Sequence, residues 1–337
     1  MTLSLNLGAN SYDIIIEHGS LAKAGEYLNL ERKILIVTDD GVPSVYADTV
    51  AKQCKTPIKI TVAQGENSKS FPTLELLCKT MLENGFTRTD AVVAVGGGVV
   101  GDLSGFAASV FMRGIDFYNI PTTLLSEVDS SIGGKTAINL GGFKNTVGAF
   151  HQPKRVLIDP DVLKTLPARQ IANGLAEAVK MAATFDQELF HLIEAEDIET
   201  NLDHIIERSL MIKKAVVECD EKESGLRRVL NFGHTIGHGI ESYENLHGLY
   251  HGECVALGML PLCSENVRER LETVLKKAGL PTSLELDPGY VYEAVTHDKK
   301  ADGDKIHFIY VPEIGSYEMK TVALTDFYQI IKEAFPQ

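Results

Sequence analysis

Tryptophan is absent from the 337 residues, and cysteine is scarce: five residues, an odd number, with no C-x-x-C pair. That scarcity excludes a disulfide scaffold and the paired-cysteine zinc and redox motifs, and it points to a reduced chain with buried thiols, cytoplasmic in expectation. No apolar run approaches the ~20 residues that span a bilayer. Residues Met1 to Asp13 hold no basic group ahead of an apolar block, so no secretory leader is expected. Positive charge is in the minority, with 32 Lys and Arg against 46 Asp and Glu and a formal net charge of −14. Such a chain lacks the broad basic face that nucleic acid requires, whereas a small anionic substrate needs only a local group of Lys and Arg. Low-complexity tracts and repeats are also missing. What is present, 44% hydrophobic and 23% charged residues, is ordinary globular composition. The length exceeds what one core usually organises, so two domains are expected.

The first half alternates strand and helix patterns. Apolar runs bounded by polar or glycine turns occur at Tyr12–Glu17, Lys33–Thr38, Ile58–Ala63, Ala91–Val95, Phe117–Ile120 and Val156–Ile158. Ser70–Asn84 reads as a helix with Ser70 as cap and Pro72 in the first turn. Short β-rich runs separated by helices predict an α/β domain with a Rossmann-like, largely parallel sheet covered on both faces. From Ala168 the texture becomes helical: Ala168–Phe185, Gln187–Glu194, Ile198–Glu218, Val229–Tyr243 and His251–Ala278, the last open to a break. Only Ile306–Val311 and Glu318–Val322 read as strands there, a hairpin around Pro312 to Gly315. The expectation is an α/β domain over 1–166 and a mostly helical domain over 167–337, with the interdomain cleft as the default active site.

The strand at Ala91 runs into Gly96-Gly-Gly-Val-Val-Gly101-Asp102, which satisfies G-x-G-x-x-G. Residues without Cβ let backbone N–H groups approach a pyrophosphate at a helix N-terminus. Two details depart from the dinucleotide fingerprint: this is about the fourth strand, and no acidic residue follows about 20 residues on. A tight structural turn is the alternative. A second candidate, Gln64-Gly-Glu-Asn-Ser-Lys69, follows another strand; Glu66 can accept from ribose hydroxyls and Lys69 can face phosphate, or the segment is a solvated turn. The stretch from Thr122 to Asn145 is polar and glycine-rich for the interior of an α/β domain. It sets Asp129, Lys135, Lys144 and Asn145 among glycines and reads as a ligand loop around an anion, against the alternative of a flexible surface loop. Arg113 can join that positive patch.

The sharpest chemistry lies later. Gly174-Leu-Ala-Glu177-Ala-Val-Lys180 puts Glu177 and Lys180 three apart on one helix face, among small and apolar neighbours that leave both charges pointing at something specific. Asn231-Phe-Gly-His234-Thr-Ile-Gly-His238 and His251-Gly-Glu253 place three of the ten histidines within 18 residues. Histidines with a carboxylate suit a catalytic Zn²⁺ that keeps an open position. Spacing alone selects His234 and His238 as the pair, as in H-E-x-x-H, although no Glu follows His234.

These segments, Gly96 to Asp102, Asp129-Ser-Ser-Ile-Gly-Gly-Lys-Thr136, Lys144–Asn145, the 174–180 segment, the 231–238 segment and His251-Gly-Glu253, together resemble the 3-dehydroquinate synthase family across nearly the whole chain and in the right order. The resemblance implies kinship with glycerol and iron-dependent alcohol dehydrogenases, which share the two-domain architecture. It implies Glu177, His234 and His251 as metal ligands, with His238 handling substrate or protons. Asp129, Lys135, Lys144, Asn145, Lys180, Arg227 and Asn231 match positions used around the substrate; Lys213, Glu223 and a lysine of the Lys299–Lys300 pair match as well. Arg113 matches a position that reaches phosphate across a dimer interface. The implied NAD positions are Glu66 and Lys69; Gly98, Val99, Val100, Gly101 and Asp102; Thr122 and Thr123; and Leu163 and Thr165, with Lys135 and Lys144 shared with the substrate. Phe143 departs from the family, which usually has Gly there.

The activity so implied turns 3-deoxy-D-arabino-heptulosonate 7-phosphate into 3-dehydroquinate and phosphate, in the shikimate pathway. NAD is used catalytically with one Zn²⁺ or Co²⁺ per chain, and a homodimer is implied. The nearest alternatives are another sugar-phosphate cyclase, such as 2-deoxy-scyllo-inosose synthase or a sedoheptulose phosphate cyclase, and then a metal-dependent polyol dehydrogenase that releases NADH. The lysines and Arg227 favour a substrate carrying both carboxylate and phosphate.

Overall fold

The computed structural model describes residues 1–244, 248–297 and 301–335. It divides into two compact units, Met1–Pro167 and Ala168–Gln337.

The first unit is built on β1 (Thr2–Leu5), β2 (Tyr12–Ile16), β3 (Lys33–Asp39), β4 (Thr56–Val62), β5 (Ala91–Gly96), β6 (Asp116–Pro121), β7 (Lys135–Leu140), β8 (Phe143–Phe150) and β9 (Arg155–Ile158). Seven of these make one sheet in the order β1-β2-β9-β6-β5-β3-β4. The β1–β2 edge pair is antiparallel, and every other pairing is parallel. The central strands are continuous apolar runs because both their faces are covered. Leu35, Val37, Val92 and Ala94 pack on one side with Leu77, Met81, Leu103 and Phe106. Ile34, Ile36, Val93 and Val95 pack on the other with Leu28, Ala47 and Val50. The covering helices are α1 (Ala24–Tyr27), α2 (Ser44–Ala51), α3 (Phe71–Glu83) and α4 (Gly98–Val110). Ser70 caps α3 by accepting from Thr73 N–H at 3.4 Å, as its sequence position predicts.

The stretch from 122 to 145 is not a loop. Residues Ser126–Ser130 form a turn of π-helix, and β7 and β8 pair as a separate two-stranded antiparallel sheet. Its strands were hidden because β8 has no buried position and carries Lys144, Asn145 and Gly148, which strands disfavour. Phe143, the departure from the family pattern, opens β8 and is exposed. The strand pair β1–β2 at the edge likewise adds β1, which the apolar runs did not announce.

The second unit carries α5 (Ala168–Phe185), α6 (Gln187–Ala195), α7 (Leu202–Cys219), α8 (His234–Glu244), α9 (His251–Met259), α10 (Glu265–Lys277), α11 (Pro288–His297) and α12 (Leu324–Ala334). A small sheet joins β10 (Ala301–Asp302), β11 (Lys305–Tyr310) and β12 (Glu318–Ala323), with β11–β12 as the expected hairpin. Helix α5 has the predicted bounds and is buried without interruption from Ala172 to Thr184. Two predicted helices are broken. The 229–243 pattern is a 3-10 segment, Leu226–Asn231, and then α8, separated by Gly233 at φ +79°, a conformation that side chains with a Cβ disfavour. The 251–278 pattern ends at Met259, passes through a 3-10 turn at Leu260–Leu262 and resumes at Glu265, because Pro261 cannot continue the hydrogen-bond ladder.

Helices α8 and α9 approach through glycines. A Cβ on Gly258 would fall on the Gly233 carbonyl oxygen and 2.6 Å from Gly237 N. Both partners are backbone, so the helices themselves would have to separate. Gly258→Ala is therefore expected to cost about 1–3 kcal/mol and lower the thermal midpoint by several degrees. Calorimetry checks this; an unchanged midpoint would contradict the close approach.

Candidate functional site

The geometry of the second unit centres on one carboxylate. Glu177 lies in the buried middle of α5 and has no exposed surface. Its Oε2 accepts from the Lys180 ammonium one helical turn on, itself only 1% exposed. Its Oε1 is buried and, among the described residues, has no hydrogen bond; it faces His234 Nε2 and His251 Nε2, each at 3.5 Å. Three ligand atoms so placed are too far apart for good hydrogen bonds. Ligands about 2.1 Å from a tetrahedral zinc lie roughly 3.4 Å from one another, so the spacing fits a cation between them. Glu177, His234 and His251 are thereby grouped as a possible ligand set, whereas His238 is not in that group.

The tautomers agree with this. His234 Nδ1 lies 3.2 Å from the Phe232 carbonyl, which can only accept, so Nδ1 carries the proton and Nε2 presents its lone pair. His251 Nδ1 lies 3.2 Å from Glu241 Oε2, an arrangement that orients a metal-bound imidazole. Burial works against the Glu177 charge, yet Lys180 and His251 outweigh it and hold the carboxyl down to about 2. Burial likewise opposes a charged His251, and the Glu177 and Glu241 carboxylates outweigh it, raising His251 to about 10.

The ligand positions are anchored by groups that local spacing does not reveal. Arg169 forms a bidentate pair with Glu253, Nε to Oε1 at 2.7 Å and a terminal nitrogen to Oε2 at 2.8 Å. Glu253 Oε2 also accepts from Tyr250 N–H at 2.7 Å. Asn173 Oδ1 accepts from Gly252 N–H at 2.6 Å, tying α9 to α5. His251 is thus fixed on both sides along the chain. His238 stands beside the ligand set, its ring 5.2 Å from that of His234 and 6.0 Å from that of His251.

Among the expected anion-binding groups of this unit, Lys213 is buried in α7 and Arg227 is 2% exposed. Asp220 organises the loop before Arg227 by accepting the N–H groups of Ser224, Gly225 and Arg227 at 2.9, 2.6 and 3.0 Å. Partial burial opposes the Asp220 charge, but those donors win and hold the carboxyl near 2. Asn231 Nδ2 donates to Glu223 Oε1 at 2.9 Å, with Glu223 in a left-handed conformation, φ 60°. Lys299 and Lys300 lie outside the described residues.

In the first unit the glycine turn sits at the carboxyl end of β5, the fifth strand, and leads into α4 at Gly98. Thr122 N–H donates to the Gly96 carbonyl at 3.0 Å. A Cβ on Gly97 would touch Thr123 at 3.0 Å. Residues 98–102 and 122–123 are therefore neighbours, at the edge where such sheets bind ligands. Leu163 and Thr165 fall in the 3-10 turn Pro160–Thr165 that follows β9, and Thr165 Oγ1 is 2.8 Å from Tyr46 Oη. Asp129 is half-buried in the π-helical turn, and Lys135 opens β7 and is exposed. Lys69 is buried: its ammonium donates to Asp102 Oδ2 at 2.7 Å and to Asn145 Oδ1, and lies 3.6 Å from Glu66 Oε1. Burial pulls its pKa down, but Asp102 and Glu66 outweigh that and raise it. Lys144 is half-buried next to Asn145 on β8. Arg113 is exposed at the end of the 3-10 turn Phe111–Arg113, with φ 69°.

Sequence spacing missed Asp39, at the carboxyl end of β3 and 8% exposed. The dinucleotide pattern places its acid after the glycine turn. β3, one of the two strands beside β5, precedes it in the chain, so an acid at its carboxyl end, a candidate for the cofactor side, comes earlier. The strand order, unavailable to spacing, was the signal.

The chain matches two family models, "3-dehydroquinate synthase N-terminal" over residues 59–173 and "3-dehydroquinate synthase C-terminal" over 174–301. The 3-dehydroquinate synthase of Enterococcus faecalis is 43% identical, with 96% of each chain covered. That of Clostridium acetobutylicum is 40% identical, with 98% of this chain and 99% of the relative covered. Among solved structures, a 2-deoxy-scyllo-inosose synthase complexed with carbaglucose-6-phosphate, NAD⁺ and Co²⁺ superposes with TM-score 0.89 at 27% identity, covering 99% of each chain. The 2-epi-5-epi-valiolone synthase of Streptomyces hygroscopicus, with NAD⁺ and Zn²⁺ bound, gives TM-score 0.86 at 28% identity, covering 96% of this chain and 95% of that one.

Two outcomes are expected at the ligand set. Glu177→Ala and His251→Ala each lose bound zinc, measured by atomic emission after dialysis; full retention would contradict the assignment. In chelator-stripped protein His251 is raised to about 10, so its ion pairs stabilise the fold fully below its ordinary 6.5 and fade as pH rises through that raised value. Zinc must displace that proton, so zinc affinity rises between pH 6 and 8 by up to about tenfold per pH unit. Titration with a competing chelator measures it; a flat profile would contradict it.

Proposed function

The chain belongs to the 3-dehydroquinate synthase family, and we infer that it converts 3-deoxy-D-arabino-heptulosonate 7-phosphate to 3-dehydroquinate and phosphate. The observation that carries this reading is the buried Glu177 carboxylate shared between Lys180 and two oriented imidazoles. Glu177, His234 and His251 would hold a divalent metal, which would supply Lewis acidity toward hydroxyl and ketone oxygens, and bound NAD⁺ would supply reversible hydride acceptance.

The chain's own residues do the remaining work. Lys180 keeps a fixed positive charge beside the ligand set, where it favours alkoxide and enolate character in the substrate without reorganising. Arg227 has the planar fork suited to the substrate carboxylate, and the Asp220 loop holds its backbone. Lys135 and Lys144 bring cations for the phosphate, and Asn145 and Asn231 orient hydroxyl or phosphate oxygens without adding charge. Asp129 and Lys213 are further candidates for polar contact with the substrate, as is Lys299. His238, next to the ligands but outside the set, handles a proton. Asp39 and Glu66 offer carboxylates to ribose hydroxyls, with the 98–102 turn, 122–123, 163 and 165 around the rest of the cofactor and Lys69 holding Asp102 in place.

The protein is further read as a homodimer in which Arg113, exposed and at φ 69°, reaches the partner's phosphate. Its 3-dehydroquinate synthase relatives reach 43% identity against 27–28% for the two other cyclases, and Arg227 suits a carboxylate, so those cyclase activities are disfavoured.

Purified protein with the heptulosonate phosphate, NAD⁺ and Zn²⁺ is expected to release phosphate stoichiometrically with no net NADH. Accumulating NADH would indicate a simple dehydrogenase, and a product other than 3-dehydroquinate another cyclase. Lys180→Met keeps the buried volume and removes the charge. It is expected to retain metal while kcat falls by about a hundredfold or more; unchanged kcat would refute the role of that charge.

A further inference from the structure

One side chain that the sequence analysis did not name joins two of the segments it did. Asn139 sits on β7 where the β7–β8 ladder loses register, between the pairs Ile138–Val147 and Leu140–Phe143. Such irregularities re-aim a residue out of the ladder, and the bonds of Asn139 go elsewhere. Its backbone N–H donates to the Lys69 carbonyl at 2.9 Å. Its Nδ2 donates to Glu66 Oε1 at 2.9 Å. Its Oδ1 accepts from Asn145 N–H at 2.9 Å. The amide orientation is fixed chemically: a backbone N–H can only donate and a carboxylate only accept, so Oδ1 must face Asn145 and Nδ2 must face Glu66. Asn145 has φ 55°, a left-handed conformation that needs support from its surroundings. Two contacts supply it, the Asn139 amide on its N–H and the buried Lys69 ammonium on its side-chain oxygen.

We propose that Asn139 is a positioning residue that sets Glu66, on the cofactor side, and the 144–145 segment, on the substrate side, in one frame through the two ends of a single amide. This rests on the reading that Glu66 contacts NAD⁺ and that Lys144 and Asn145 contact substrate. Because the two ends differ chemically, they can be severed separately. Asn139→Ala removes both bonds. Asn139→Asp keeps an oxygen for the Asn145 N–H but sets a second carboxylate against Glu66, so only the cofactor side is disturbed.

The test uses zinc-loaded protein, with NAD⁺ affinity by calorimetry and KM for the heptulosonate phosphate at saturating NAD⁺. Asn139→Ala is expected to raise both the NAD⁺ Kd and the substrate KM by roughly tenfold, the scale of a lost bond to a charged or structurally required group. Asn139→Asp is expected to raise the NAD⁺ Kd by a similar roughly tenfold factor while KM stays within about twofold of the parent. A merely structural role would not separate the two constants. Equal effects of both variants on both constants, or no effect of either, would overturn the proposal. Glu66→Ala distinguishes the failures. If it weakens NAD⁺ binding and Asn139→Asp does not, the inference about Asn139 is wrong. If Glu66→Ala leaves NAD⁺ binding unchanged, the reading of the 66–69 segment falls and the proposal with it. Should Asn139→Ala fold poorly, the near-isosteric Asn139→Asp alone decides the question, because its expected split between Kd and KM has no counterpart in general unfolding.

Discussion

A carboxylate with no exposed surface, halfway along a helix buried without interruption from Ala172 to Thr184, is the constraint on which the rest depends. Removing such a charge from water costs several kcal/mol unless it is paired and hydrogen-bonded. Lys180 answers one oxygen. Among the described residues the other faces imidazole nitrogens at 3.5 Å, a spacing that suits a divalent ion better than a hydrogen bond. Much else in this unit serves that arrangement. The glycines of α8 and α9 let two histidine-bearing helix ends converge on α5, and Arg169, Asn173 and Glu253 hold the α9 end in place. Metal binding and the stability of this core are consequently one equilibrium.

The first unit meets a different constraint. Its central strands are buried on both faces, and the polar groups proposed to meet the cofactor follow their carboxyl ends. There the polar side chains restrain one another. Lys69 draws Asp102 of α4 and Asn145 of β8 to the 66–69 segment, so the glycine turn, that segment and the β7–β8 hairpin share one buried cation. A buried lysine of this kind acts mainly by fixing geometry, since its donors are directed at protein oxygens.

Legibility in the sequence followed physical locality. The central parallel strands were readable because two-sided burial demands unbroken apolar runs, and α5 was readable to its ends because Pro167 precedes it and Asp186 caps its successor. The β7–β8 hairpin was not, since its pattern is polar and its register irregular. The break after Met259 lay with Pro261 inside an otherwise helical stretch. At the site, residue chemistry singled out Glu177 and the histidines, and the structure brings them close together. Spacing alone, however, ranks His238 with His234, whereas the structure brings His251 to Glu177 through the crossing of α8 and α9. The family resemblance carried that information and periodicity did not. Asp39 and Asn139 were invisible for the same reason, because each gains its place from a neighbouring strand or segment distant in the chain.

Anomalous diffraction from crystals of the zinc-loaded protein, collected on either side of the zinc absorption edge, tests the central claim most directly. The account predicts one strong peak per chain, bonded to Glu177 Oε1 and to Nε2 of His234 and His251. A peak seated instead between His238 and Glu241, or a fully loaded crystal with no peak at Glu177, would contradict it.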